Sequence, residues 1–212
     1  MSRRWASGLI GLGLKAGEHV AIVMANYPEF PIMKLAIARA GCVSVPINYL
    51  LQYDEMRYVV EQSKSKILIG MSQHRGRDYT SDFACLRSSL PGLEHILVLP
   101  QNGSESAEFR SISDLACVAT AASDAELLKR EAKTSASSVS DIVYTSGTTG
   151  RSKGAMSAHR QTIAVSAAWA EIGTSECEVM PGLVFISSRK GRRSLARSIR
   201  SARPQPRQPS IR

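Results

Sequence analysis

Short, unbroken apolar runs alternate along the chain with longer stretches in which apolar residues recur every third or fourth position. His19 to Ala25 (His-Val-Ala-Ile-Val-Met-Ala) continues without a strongly polar break, the mark of a strand covered on both faces in a parallel sheet. Cys42 to Pro46, Ile67 to Ile69, His95 to Leu99 and Ile142 to Thr145 read as further strands. Between them, Glu29 to Ala40 has helical spacing, with Phe30, Met33, Leu35, Ile37 and Ala38 available for burial and Gly41 placed to end it. A second helix runs to Ser63 with Asp54 as its N-cap and Met56, Val59 and Val60 on its inner side. Arg3 to Leu14 forms a weaker helix, carrying Trp5, Leu9 and Leu12 along one side and interrupted by glycines, and Gly13 and Gly17 bracket a turn. Ser72 to Pro91 shows no assignable pattern, and Gln101 to Glu108 reads as a loop. Ala116 to Ser138 reads as a helix followed by an exposed connection, and Gln161 to Ala170 as a last helix. Strands alternating with helices predict an α/β fold, a wound and mostly parallel sheet flanked by helices.

The chemistry is concentrated in Asp141 to Gly154, Asp-Ile-Val-Tyr-Thr-Ser-Gly-Thr-Thr-Gly-Arg-Ser-Lys-Gly. A strand feeds directly into hydroxyls, two glycines and a lysine, the makings of a phosphate loop. Gly147 and Gly150 permit positive φ and inward-turned N–H groups, while Thr145, Ser146, Thr148 and Thr149 add hydroxyl donors. Lys153 supplies a point charge for a triphosphate. The Walker pattern is excluded: it requires Ser or Thr after Gly-Lys, whereas here Ser152 precedes Lys153 and Gly154 follows it.

This stretch resembles the signature of the adenylate-forming superfamily, which includes acyl-CoA synthetases, luciferases and the adenylation domains of peptide synthetases. Ser152 stands where many members carry proline. Upstream, Leu12-Gly13-Leu14-Lys15-Ala16-Gly17, Asn26-Tyr27-Pro28-Glu29-Phe30, the run from Ala40 to Asn48 and the helix from Asp54 to Ser63 follow the order that opens the large N-terminal domain of acyl-CoA synthetases. Ala155 to Ala158 resembles the family strand after the loop, and His159-Arg160 a common pair, with His159 structural or capping rather than catalytic.

The resemblance implies a partial AMP-binding, acyl-CoA synthetase-like domain over residues 1–173. It leaves 174–212 as a divergent or out-of-frame tail, Arg/Ser/Pro-rich and disordered from 187. It also implies ATP-dependent, AMP-forming activation of a carboxylic acid, a fatty acid foremost, to an acyl-adenylate and then to acyl-CoA. Thr145, Ser146, Gly147, Thr148, Thr149, Gly150 and Lys153 would bind the ATP phosphates. ATP, Mg²⁺ and CoA are the expected cofactors, with only the phosphate loop present here. The family's Tyr-Gly-x-Thr-Glu motif, its ribose-holding aspartate and the adenylating lysine of its C-terminal domain are not found after Gly154. No catalytic residue and no metal ligand is therefore assigned, and the expectation is a truncated chain without ligase activity of its own. The identity of the acid and the oligomeric state are not fixed by these residues.

Composition modifies this picture in two places. At 212 residues and 43% hydrophobic content the chain can bury one substantial core. Cys42, Cys85, Cys117 and Cys177 show no paired spacing, which fits a reducing cytoplasm, with Cys42 a small core residue. The net charge of +9 suggests a nucleic-acid partner until it is located. From Arg189 onward there are nine basic residues and no acid, so the rest of the chain is neutral. That tail offers an alternative function, binding of nucleic acid or an anionic surface, but it lacks an aromatic residue for stacking on bases, which argues against nucleic acid. A non-catalytic ATP-binding remnant is the other alternative. Ser2-Arg3-Arg4 before an apolar segment imitates an export signal, yet Gly8, Gly11 and Gly13 interrupt it and no cleavage site follows. No stretch approaches the ~20 apolar residues of a membrane span.

Overall fold

The structure is a computed structural model of the chain and describes residues 1–101, 108–145 and 151–175, with side chains through residue 170. Its elements follow the predicted alternation. In chain order they are α1 (Ser2–Gly11), β1 (His19–Val23), α2 (Glu29–Arg39), β2 (Val43–Ile47), α3 (Tyr53–Ser63) and β3 (Ile67–Met71). A short hairpin of β4 (Gln73–His74) and β5 (Arg77–Asp78) precedes α4 (Thr80–Ser89), β6 (His95–Leu99) and β7 (Arg110–Ser111). A 3-10 turn, Ile112–Asp114, leads to α5 (Leu115–Val118), α6 (Ala121–Lys133), β8 (Val139–Thr145), β9 (Lys153–Ala158) and α7 (His159–Ser175).

The main sheet has the order β7-β6-β3-β1-β2-β8-β9. Every pairing in it is parallel except β8 with β9, so the sheet is mostly parallel, as the unbroken apolar runs require. Alternate residues of each strand supply two separate cores. On one face Ala21, Val23, Val45 and Leu68 pack with Met56, Val59 and Val60 of α3 and with Phe83 and Leu86 of α4. On the other, Val20, Ile22, Ile67 and Ile69 pack with Trp5 and Leu9 of α1, Met33 and Ile37 of α2, and Leu127 of α6. A compact unit spans residues 1–160, and a second begins at Gln161.

Several local expectations are refined. The N-cap of α3 is Gln52 rather than Asp54: its backbone N–H donates to Glu55 at 3.1 Å, closing a reciprocal capping box. The box pairs the cap with the third helical residue, which places Asp54 inside the first turn. Gly41, just past α2, has φ 67°, and Gly13 and Gly17 are likewise positive, as their turns demand. The unassigned stretch holds the β4–β5 hairpin and α4. Ala116 to Ser138 takes in most of α5, which starts one residue earlier at Leu115, and the whole of α6, because Thr120 breaks the run and caps α6 by accepting from the Ser123 N–H at 3.2 Å. The last helix is longer than its spacing indicates, and β9 begins at Lys153, two residues before the expected Ala155. Residues 146–150 of the loop and the Arg-rich tail expected to be disordered lie outside the described residues.

Candidate functional site

The site is built on a hairpin at one margin of the parallel sheet. Strand β8 is held to β2 through the Ser44–Asp141 register, and β9 folds back along it antiparallel. Thr145 pairs with Lys153, Tyr144 with Gly154, Val143 with Ala155 and Ile142 with Met156. Thr145 and Lys153 therefore face each other at the last rung, on the same side of the hairpin, and both are exposed. Residues 146–152 form the connection between them. It leaves the carboxyl end of a parallel strand, the edge at which open α/β sheets bind ligands. Of the seven predicted phosphate-binding residues, Thr145 and Lys153 are brought together, while Ser146, Gly147, Thr148, Thr149 and Gly150 lie outside the described residues.

The stem is fixed from both faces. On the α2 side the Asp141 carboxylate, 4% exposed, accepts from Lys34 Nζ at 2.8 Å, from the Ser44 hydroxyl and from Ser140 Oγ at 2.9 Å. Burial pushes the Asp141 carboxyl upward; the Lys34 ammonium beside it, with donation from Lys34, Ser44 and Ser140, more than offsets this and holds it below the ordinary aspartate value. The pair thus joins helix α2, strand β2 and strand β8 at one point. A register shift between Val139 and Asp141 lies beside it, where Ser140 Oγ also reaches the Ser157 carbonyl at 3.1 Å.

On the α3 side the Tyr144 ring packs over Gly154. A Cβ at Gly154 would stand 2.8 Å from Ile142 Cγ2 and 3.2 Å from Tyr144 Cζ, so the glycine is set by close approach. Burial first, and Tyr58 second, push the Tyr144 phenol up. Tyr58 on α3 donates its hydroxyl hydrogen to the Ser152 carbonyl at 3.1 Å, and the Arg151 guanidinium lies 5.4 Å from its ring centroid.

His159 begins α7 at the foot of the hairpin, beyond the Val139–Ala158 rung and at the opposite end from the loop. Its backbone N–H donates to the Ser138 carbonyl at 3.0 Å. Burial lowers its imidazole pKa, partly countered by Asp141. Sequence reading missed the Lys34–Ser44–Asp141 cluster and the Tyr58 contacts. The first had a signal: an aspartate directly before a strand run and a lone lysine in the apolar stretch Met33-Lys34-Leu35-Ala36-Ile37. Among the described residues no three His, Cys, Asp or Glu side chains converge. No helix among them is long and apolar enough to cross a membrane.

Residues 1–187 match the family described as AMP-binding enzyme. The 3-[(3aS,4S,7aS)-7a-methyl-1,5-dioxo-octahydro-1H-inden-4-yl]propanoyl:CoA ligase of Rhodococcus jostii is 35% identical over 174 residues, covering 80% of this chain and 33% of that protein. A long-chain-fatty-acid–CoA ligase of Mycobacterium bovis is 32% identical over 152 residues, covering 72% of this chain and 24% of that protein. Among solved structures, ATP-bound MatB from Rhodopseudomonas palustris superposes with a TM-score of 0.62 at 26% identity, covering 80% of this chain and 30% of that one. The anthranilate CoA ligase AuaEII, in complex with anthranoyl-AMP, gives 0.67 at 24% identity, covering 79% and 30%, a likeness of fold. The chain spans about a third or less of the length of these relatives.

Proposed function

The chain belongs to the AMP-binding enzyme family, and from that premise we propose that it supplies the ATP-phosphate-binding segment of an acid–CoA ligase. The overall reaction is AMP-forming: a carboxylate attacks the α-phosphorus of ATP, pyrophosphate leaves, and the thiol of CoA then displaces AMP from the acyl-adenylate. The observation that carries the reading is the Thr145–Lys153 rung, which closes a hydroxyl- and glycine-rich loop at the carboxyl end of a parallel strand.

In this reading the loop's work is electrostatic. Lys153 directs an ammonium, and Thr145 a hydroxyl, toward the β- and γ-phosphates, and donors from Ser146, Gly147, Thr148, Thr149 and Gly150 complete the cradle. Charge that accumulates on the departing pyrophosphate meets groups already oriented to receive it. Asp141 takes no part in the chemistry; its buried pairing with Lys34 anchors the strand that presents the loop. The acid is proposed to be a fatty acid or another carboxylate on an apolar skeleton, in keeping with the names of the two relatives.

Identification of the products of ATP turnover tests the reaction class. In a protein that joins this segment to the remainder of such a ligase, AMP and pyrophosphate, formed only when a carboxylic acid is supplied, are the expected pair, whereas the 212-residue chain by itself is expected to form neither. ADP and inorganic phosphate, or consumption of ATP without regard to the acid, would contradict the proposal.

A further inference from the structure

The returning leg of the loop is gripped by a residue nearly a hundred positions upstream. Helix α3 lays Met56, Val59 and Val60 on the sheet, and this places Tyr58 at the side of the helix, half-buried and packed against the same core as Tyr144. From there it touches two consecutive loop residues in two different ways. Its hydroxyl donates to the Ser152 carbonyl at 3.1 Å, and its ring lies 5.4 Å from the Arg151 guanidinium carbon. The two contacts draw on separate chemistry, a hydrogen bond and a cation over an aromatic ring. Both act on the residues directly before Lys153.

The consequence follows from the geometry of one peptide unit. The Ser152 carbonyl and the Lys153 N–H belong to the same peptide bond, and no peptide bond among the described residues is cis. A trans peptide directs the two groups oppositely, so a carbonyl held toward Tyr58 turns the Lys153 N–H away from α3. One rung further, Gly154 lies under the Tyr144 ring on the α3 side, and strand alternation puts the Lys153 side chain on the other face. The backbone is thus fixed on one face while the ammonium stands exposed on the opposite one.

We propose that Tyr58 is a positioning residue of the loop: by holding Arg151 and Ser152 it sets the backbone from which the Lys153 ammonium is directed at a triphosphate. This rests on the reading of residues 145–153 as a phosphate-binding loop. Tyr58 itself touches no phosphate and acts through Lys153. The arrangement lowers the cost of ordering a flexible lysine when the ligand arrives.

Two measurements on the full 212-residue chain test the inference, and only one depends on ATP. In the first, native-state trypsin cleavage after Arg151 is compared with cleavage after Lys133. Tyr58→Phe removes the hydroxyl and keeps the ring, and is expected to speed cleavage at Arg151 by ~3–10-fold, the scale of one lost hydrogen bond. Tyr58→Leu removes both contacts and speeds it further, with Lys133 unaffected in either variant. Equal rates at Arg151 in all three chains would overturn the proposed grip. In the second, ATP affinity is measured for wild type, Tyr58→Phe, Lys153→Ala and the double variant. Tyr58→Phe is expected to weaken ATP by ~3–10-fold in the wild-type background and to have no further effect once Lys153 is gone. An equal loss with and without Lys153 would overturn the claim that Tyr58 acts through it. Failure of wild type to bind ATP would refute the phosphate-loop reading and the role assigned to Tyr58 in it, while the trypsin comparison would still decide whether Tyr58 holds the leg.

Discussion

Lys34 and Asp141 meet at 2.8 Å, and their contact ties a helix to the strand that carries the loop. Asp141 is almost wholly buried and Lys34 partly so, which makes the pair unlike a surface ion pair held in water.

The pair predicts an acid-sensitive stability. In the fold the Asp141 carboxyl lies below its ordinary value, because Lys34 and two hydroxyls outweigh burial. A carboxyl depressed by folding contributes stability that is present above its unfolded value, about 3.9, and lost as pH falls through its folded value. Urea midpoints are expected to drop below about pH 4, and less steeply in Asp141→Asn. Lys34→Met reverses the sign. With the cation gone, burial outweighs the remaining Ser44 and Ser140 hydroxyls and raises the carboxyl, so that variant loses ~3–5 kcal/mol at neutral pH and regains part of it on acidification. Parallel pH profiles in wild type and Lys34→Met would contradict the assignment.

Gly154 predicts a steric limit at the hairpin stem. Its missing Cβ would fall 2.8 Å from Ile142 Cγ2, and Ile142 is a stiff, β-branched core residue. Gly154→Val is expected to destabilise the chain by ~1–3 kcal/mol in urea unfolding, the usual cost of overpacking. A larger substitution at the neighbouring Ala155, whose side chain stands on the opposite face of the strand from the Tyr144 ring, should cost much less. Equal effects at the two positions would show that the Tyr144–Gly154 packing does not constrain the stem.

The fold was largely legible because its strands are apolar on both sides. His95–Leu99 is delimited as the run itself suggests, and β1 ends only two residues short of its own run, His19 to Ala25. Legibility failed where the pattern carries little contrast. In α4, Thr-Ser-Asp-Phe-Ala-Cys-Leu-Arg-Ser-Ser, Phe83 and Leu86 are the buried residues, too few to mark a helical stripe among small and polar neighbours. Local spacing puts the cap of α3 at Asp54, two residues before the buried Met56, and the bond from the Gln52 N–H to Glu55 moves it to Gln52. At the site, local spacing showed the loop and its lysine. It could not show Tyr58 or Lys34, whose contacts join residues 94 and 107 positions apart, a separation set by sheet topology and not by any motif.

The cysteines give an independent check on the core. Burial pushes the Cys42 thiol up to about 12, with Arg130 only partly countering it, and the residue is 1% exposed. Cys85 and Cys117 are exposed. Thiolate is the reactive form, so at pH 8 an alkylating reagent is expected to label Cys85 and Cys117 first and Cys42 only after unfolding in urea, as read by peptide mass spectrometry. Labelling of Cys42 in the native chain at a comparable rate would place it outside the core.

The most direct test of the account is equilibrium binding of ATP and AMP to the chain, by calorimetry, with Lys153→Ala alongside. A loop that grips β- and γ-phosphates should bind ATP more tightly than AMP, should release it to competing pyrophosphate, and should lose most of that preference in Lys153→Ala. Equal affinity for ATP and AMP, or a preference for ATP that survives the loss of Lys153, would contradict it.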